Sequence, residues 1–110
     1  MNPRRGEVWL ADLGLAAKTR PVLIVSRFDS DAPRALAIYI PFTTQSRPSR
    51  YEVPIPKLGF LSAISFANVQ GIGSIPTARL ERKLGALADG TMSEIGRALL
   101  FALDLEEKAK

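Results

Sequence analysis

Two short groups of polar side chains in this 110-residue sequence stand directly beside predicted β-strands. Residues 18–20 (Lys-Thr-Arg) come immediately before the apolar run at residues 21–26. Residues 43–45 (Thr-Thr-Gln) follow the run at residues 35–40 after Pro41 and Phe42. If the two strands are neighbours, they bring the guanidinium of Arg20 and a threonine hydroxyl to the same rim of a sheet.

The chain contains no histidine and no cysteine, so the commonest general base, the commonest metal ligand and a thiol nucleophile are all absent. An arginine and a hydroxyl suit one reaction well, the attack of a ribose 2′-OH on its own 3′-phosphate. In that reaction the nucleophile belongs to the substrate, and the protein has to position the phosphate and stabilise the developing charge. A guanidinium does this through bidentate bonds to phosphate oxygens, and a hydroxyl can hold the remaining oxygen or relay a proton.

The charge of the chain is unevenly distributed along the sequence. Its 15 basic and 11 acidic residues give a net charge of +4. Residues 1–88 hold 12 basic and 6 acidic side chains, whereas residues 89–110 hold 3 basic and 5 acidic ones. This basic body, in which arginine outnumbers lysine, predicts a polyanionic partner, although a net charge of this size also serves solubility alone.

Other kinds of site are not supported by the sequence. The glycines at positions 71 and 73 lack the third glycine of a dinucleotide-binding loop, and the carboxylates of the body are scattered. We therefore expect no cofactor and no metal site. The sequence also shows no apolar segment long enough for a signal peptide or a membrane span, so we expect a cytoplasmic protein.

Residue patterns divide the chain into a β-rich body and a helical tail, within one domain over residues 1–110. All eight prolines fall at or before Pro76. Thr91 to Glu94 has the form of a capping box and predicts a helix that runs through Leu103. Strands are predicted at residues 7–13, 21–26, 35–40, 51–56, 63–69 and 73–80, with Pro41 ending the third. Short strands without room for crossover helices predict a small, partly open barrel.

The ordered set of motifs resembles the MazF/PemK family of toxin endoribonucleases, in a variety with a short first loop. The resemblance covers nearly the whole chain in the order of the family. It is carried by residues 5–13 (RGEVWLADL), 19–26 (TRPVLIVS), 41–45 (PFTTQ), 51–55 (YEVPI), 74–75 (SI), 79–80 (RL) and the helix at 92–103.

This resemblance implies an SH3-like small barrel, mainly β with a C-terminal α-helix, that works as a homodimer. It implies a toxin of a type II toxin–antitoxin system that cuts single-stranded RNA, including mRNA, at short sequences without a metal. The implied products are a 2′,3′-cyclic phosphate and a 5′-OH end. An acidic, partly disordered antitoxin of the MazE kind is the implied protein partner.

The resemblance also assigns the candidate site residues. Arg20 matches the arginine of the family that binds the phosphate and donates a proton, and Thr43 matches the catalytic threonine. Further RNA contacts are expected from the residues beside these two and from nearby polar positions, namely Lys18, Thr19, Thr44, Gln45, Arg47, Arg50 and Gln70.

Two segments depart from the family pattern. The family usually has a longer segment before the arginine, but here residues 14–19 (GLAAKT) fill that space. The resemblance implies that RNA binds along a groove of the dimer. Gating of this groove and docking of the antitoxin are therefore expected to differ from those of longer relatives. The Asp-Gln pair that often precedes a later strand appears here as Asn68-Val69-Gln70.

Two alternative functions belong to other classes. The CcdB-like toxins use the same barrel to bind DNA gyrase without cutting nucleic acid, and such a binder has no use for Arg20 and Thr43 together. A small barrel could also bind RNA without catalysis, in which case RNA would be retained in a salt-sensitive way and left intact.

Overall fold

The computed structural model describes residues 2–14, 19–61 and 63–107. Within these ranges the chain forms seven strands and one α-helix. They are β1 (Glu7–Asp12), β2 (Thr19–Ile24), β3 (Leu36–Thr43), β4 (Glu52–Ile55), β5 (Ser65–Asn68), β6 (Gly73–Pro76), β7 (Leu80–Ala86) and α1 (Asp89–Ala102).

The strands form an antiparallel sheet in the order β4-β5-β3-β2-β1-β7. Strand β6 pairs with the first half of β3, and β5 pairs with its last two residues. A 3₁₀ turn at Val69–Gly71 connects β5 to β6. The predicted fold class, mainly β with a C-terminal helix, is confirmed.

Two groups of apolar side chains pack on the two sides of the sheet. One side holds Val8 and Leu23 together with Ile95 of α1. The other side holds the neighbouring residues Trp9 and Val22. Because successive residues of a strand point to opposite faces, β1 and β2 are buried on both sides, which explains why their sequences read as nearly continuous apolar runs.

The prediction that Pro41 ends the third strand is wrong. Strand β3 continues to Thr43, and Pro41 lies opposite Val22 inside it. Proline is tolerated in a strand where its missing N–H leaves no ladder bond unmade. Thr43 is therefore held at the end of a strand and not in the loop that follows.

The capping box predicted at Thr91 is also wrong. Helix α1 begins two residues earlier, at Asp89, and the N-cap residue Ala88 makes no side-chain hydrogen bond. The carboxylate of Asp89 lies in the first turn, where it interacts favourably with the helix dipole. Burial of Ile95 and Ala98 against the sheet then fixes the helix without a capping side chain.

The strand predicted at residues 73–80 is two elements, and the strand after it was missed. Strand β6 ends at Pro76, a 3₁₀ turn covers Thr77–Arg79, and β7 begins at Leu80. Three charged residues in β7 hide its alternating pattern, namely Glu81, Arg82 and Lys83. The predicted strand at residues 63–69 is shorter, since β5 covers Ser65–Asn68.

Among the residues that the structure describes, no helix is long and apolar enough to cross a membrane.

A polar contact at Glu7 joins the start of β1 to β7. The Glu7 carboxylate accepts hydrogen bonds from the Arg4 backbone N–H (2.8 Å) and the Trp9 indole N–H (3.1 Å), and it pairs with Lys83 at 3.0 Å. Burial alone raises the pKa of Glu7, but the hydrogen bonds and the Lys83 charge outweigh it, so the pKa lies below its ordinary value.

We expect Glu7→Gln to lower the free energy of unfolding by about 1–2 kcal/mol at neutral pH, because it removes a charge that these donors stabilise. In the wild type this contribution is complete above the ordinary glutamate pKa of about 4.3 and is lost as the pH falls through the lowered folded value. Urea unfolding as a function of pH measures both effects. The exposed Glu81→Gln is the control, and equal acid sensitivity of Glu7→Gln and wild type would contradict this assignment.

Candidate active site

Strands β2 and β3 separate at one end of the sheet. Their ladder runs from the pair Ile24–Tyr39 to the pair Val22–Pro41. Beyond it, Arg20 lies opposite Ala11 of β1, whereas Thr43 lies opposite Phe66 of β5. The two strands thus leave each other where the two predicted catalytic residues begin.

One proline contributes to this separation. Pro21 precedes Val22, where the ladder with β3 stops, and it lies on the side of β2 from which the Val25 N–H donates to the Ile38 carbonyl of β3. Because Pro21 has no backbone N–H, it cannot donate the hydrogen bond toward β3 that would extend the ladder. Each strand end instead pairs with the strand on its other side, and a gap opens between them.

A cavity of about 570 Å³ fills this gap. One part of its lining is polar, from Arg20 and residues 43–45. The other part is mostly apolar and comes from Leu13, Phe42, Leu61 and Ala63, with the buried Ser65 hydroxyl beside them.

The Thr43 hydroxyl is fixed by a local turn. Its Oγ1 accepts a hydrogen bond from the Gln45 N–H at 3.1 Å and donates to the Gln45 carbonyl at 3.4 Å. Such side-chain-to-backbone bonds are typical of threonine at turns. They hold the start of the segment after β3 against the cavity.

Arg20 is exposed at the mouth of the cavity, and none of the described carboxylates lies within 4.0 Å of its guanidinium. With respect to the part of the chain that the structure describes, its guanidinium is thus available to an anion, and a planar guanidinium matches the geometry of two phosphate oxygens. A phosphodiester seated here would meet a cation on one strand and a hydroxyl on the next.

Four of the predicted site residues line this one cavity, namely Arg20, Thr43, Thr44 and Gln45. Thr19 is half-buried at the start of β2, opposite Asp12 of β1. Lys18 lies outside the described residues.

Three other predicted RNA contacts, Arg47, Arg50 and Gln70, do not line the cavity. The backbone N–H of Arg47 donates to the Glu52 carboxylate at 2.8 Å. Gln70 is exposed in the 3₁₀ turn after β5, where its N–H donates to Asn68 Oδ1 at 3.2 Å. A role for these residues in binding RNA stays a prediction.

Arg50 is held by the C-terminal segment. Its Nη2 lies 2.6 Å from Oε2 of Glu106, and its guanidinium stacks 3.9 Å above the ring of Phe101. That ring also contacts Tyr51, with the ring centroids 5.1 Å apart. Arg50 thus connects the loop before β4 to the end of α1.

The sequence did not reveal the apolar wall of the cavity. Leu61, Ala63 and Ser65 come from the loop between β4 and β5 and the start of β5. No local motif marks them, because their place beside Arg20 depends on pairing between strands that are distant in sequence. The only sequence feature that points to these wall residues is the recurrence of apolar residues in a loop.

The fold has counterparts in solved toxins of one class. A mycobacterial endoribonuclease solved in complex with its cognate antitoxin superposes with a TM-score of 0.83 at 29% identity, over 96% of this chain and 99% of the other. A family model described as the PemK-like, MazF-like toxin of type II toxin–antitoxin systems matches residues 4–103. The chain belongs to this family, and the resemblance seen in the sequence is confirmed.

Two curated relatives are similar over nearly their full length. A Mycobacterium tuberculosis protein named probable endoribonuclease MazF5 is 36% identical over 110 residues, which cover 93% of this chain and 94% of the relative. A Mycolicibacterium smegmatis protein named probable endoribonuclease MazF is 32% identical over 109 residues, which cover 93% and 97%.

We expect Arg50→Ala to lower the free energy of unfolding by about 0.5–1 kcal/mol, because it removes an exposed ion pair and a cation–π contact. Arg50→Lys should recover part of the loss. Guanidinium chloride unfolding at low salt measures the difference. Arg47→Ala removes the same charge three residues away without an ion pair or ring contact among the described residues, so a loss as large in that variant would contradict the assignment.

Proposed function

We propose that this chain is the toxin of a type II toxin–antitoxin system and acts as a metal-independent endoribonuclease. It cuts single-stranded RNA, including mRNA, at short sequences and so inhibits translation and growth. The observation that carries this proposal is the cavity at the end of β2 and β3, which is lined by both Arg20 and Thr43. The names of the curated relatives, both probable endoribonucleases, support it.

The proposed reaction uses the substrate's own nucleophile. The ribose 2′-oxygen forms a bond to the adjacent phosphorus while the bond from phosphorus to the 5′-oxygen breaks. A 2′,3′-cyclic phosphate and a 5′-OH end remain. The 2′-OH gives up its proton, the leaving 5′-oxygen takes one, and no other reactant is consumed.

Arg20 and Thr43 have separate parts in this reaction. The guanidinium of Arg20 binds the two non-bridging oxygens, stabilises the extra negative charge of the transition state, and donates a proton toward the departing 5′-oxygen. The Thr43 hydroxyl, which already exchanges hydrogen bonds with Gln45, relays the proton that leaves the 2′-OH to solvent water, and the guanidinium of Arg20 regains the proton that it donated from water. Neither part needs an imidazole, which fits a chain without histidine.

The remaining RNA contacts are proposed for the polar and basic residues that the sequence predicts. Thr44 and Gln45 line the cavity and can meet the nucleotides beside the cut. The other residues proposed to contact RNA are Lys18, Thr19, Arg47, Arg50 and Gln70. Basic and amide side chains of this kind bind phosphates and base edges, respectively.

The proposed assembly is a cytoplasmic homodimer of one domain, residues 1–110, that is neutralised by an acidic MazE-like antitoxin. Exposed leucines at and after the end of α1 support self-association, since Leu100, Leu103 and Leu105 are 46–63% exposed. The basic charge of residues 1–88 supports binding of both RNA and an acidic protein. The solved antitoxin complex of a mycobacterial relative supports the same partner class.

We expect purified protein to cut a mixed-sequence single-stranded RNA in the presence of EDTA. Arg20→Ala should lower kcat by about 10³-fold, because it removes the group that stabilises the transition-state charge. Thr43→Val should lower kcat by about 10–100-fold, and Thr43→Ser should recover most of the rate. Single-turnover cleavage of an end-labelled RNA measures these rates.

Arg34→Ala is the matched control, because it removes the same charge from the opposite end of the β2–β3 hairpin, where Arg34 is exposed. It should cut at the wild-type rate. Uncut RNA with the wild type, or equal loss in Arg20→Ala and Arg34→Ala, would contradict the proposal. Salt-sensitive RNA retention without products would favour the binding module, and gyrase retention with intact RNA would favour a CcdB-like toxin.

A further inference from the structure

The loop between β4 and β5 is attached to the far edge of the sheet through one aromatic ring. Strands β4 and β7 are the two ends of the strand order. Phe60, five residues after the end of β4, lies on Gly85 of β7. This contact connects the loop after one edge strand to the strand at the other edge.

The fit between Phe60 and Gly85 leaves no room for a side chain at position 85. A Cβ atom built on Gly85 would lie 2.6 Å from Cδ1 and 2.9 Å from Cζ of the Phe60 ring. Non-bonded carbon atoms prefer separations of about 3.5–4.0 Å, so one partner would have to move. Gly85 also follows a register shift in the β1–β7 pairing, and such bulges commonly re-aim nearby side chains.

Movement of the Phe60 ring is restricted, because the ring is half-buried against the main apolar group of the core. Leu61, the next residue, is buried in the same group and lines the cavity with Ala63. The loop is further fixed by the Leu61 N–H, which donates to the Leu58 carbonyl at 3.1 Å, and by the Ser65 hydroxyl, which donates to the Ala63 carbonyl at 3.0 Å. A displaced ring would therefore shift the wall of the cavity.

We propose that Phe60 is a positioning residue and that its contact with Gly85 sets the distance between the apolar wall and the Arg20 side of the cavity. This inference rests on the proposed function, which places RNA in that cavity. The wall presents Leu61 and Ala63, and Phe42 lines the same cavity, so this side fits the apolar face of a nucleobase next to the cut phosphate. The contact then controls RNA binding and base selection, and Arg20 and Thr43 carry the chemistry.

The test is a double-mutant cycle of Gly85→Ala and Phe60→Leu on RNA cleavage. We expect Gly85→Ala to raise KM by about tenfold while kcat changes by less than about threefold, because the wall contacts substrate and not the reacting atoms. In the Phe60→Leu background, where no ring opposes the new methyl group, Gly85→Ala should change KM by less than about twofold. Equal effects in both backgrounds would overturn the proposal.

Two controls separate positioning from general destabilisation. Gly59→Ala adds a methyl group to the same loop, where a Cβ would meet no atom within 4 Å, and should leave KM unchanged. Ile95→Val lowers the free energy of unfolding by a change in α1, a helix that does not line the cavity. This variant should also leave KM unchanged. If KM follows the unfolding free energy in every variant, including Ile95→Val, the proposal is wrong.

A measurement without RNA separates this inference from the proposed function. In the free protein, methyl resonances of Leu61 should shift in Gly85→Ala and return toward wild-type positions in the double variant. If the wild type leaves RNA uncut, the proposed function fails while this result still tests the contact. If the wild type cuts RNA but the Leu61 resonances stay unmoved in Gly85→Ala, only the positioning role is overturned.

Discussion

The separation of β2 from β3 beyond the Val22–Pro41 pair is the constraint on which the site depends. A continued ladder would close the space between the two strands with hydrogen bonds. Because Pro21 cannot donate a hydrogen bond toward β3, the two strand ends pair outward, Arg20 toward β1 and Thr43 toward β5. The same backbone that builds the sheet thus opens a cavity between a guanidinium and a hydroxyl.

The arginines differ in whether they have a charged partner. Arg50 is bound by Glu106 and the Phe101 ring, so it anchors the acidic C-terminal segment. Arg20 has no described carboxylate within 4.0 Å and keeps its donors open at the cavity. Lys83 is paired with Glu7. The net charge of +4 therefore matters less than where unpaired guanidinium groups stand beside a cavity.

The sequence was informative where chemistry is local and silent where it depends on distant pairing. The placement of Arg20 and Thr43 at neighbouring strand ends could be predicted because each stands beside a short apolar strand, and the order of motifs identified the family. The continuation of β3 through Pro41 could not be predicted, since it depends on which neighbouring strand faces the missing N–H of the proline. The helix start at Asp89 has no capping side chain to mark it. Leu61 and Ala63 reach the cavity through the path of the β4–β5 loop, in which Phe60 contacts Gly85, 25 residues away in sequence.

In the proposed reaction the RNA supplies its own nucleophile while Arg20 and Thr43 hold the phosphate. A direct test replaces the ribose on the 5′ side of a mapped cleavage site with 2′-deoxyribose and follows cleavage in EDTA. We expect this one bond to stay intact, the RNA still to bind, and cuts elsewhere to end in a 2′,3′-cyclic phosphate. Cleavage of the deoxy-substituted bond at the rate of the unmodified RNA would contradict this mechanism.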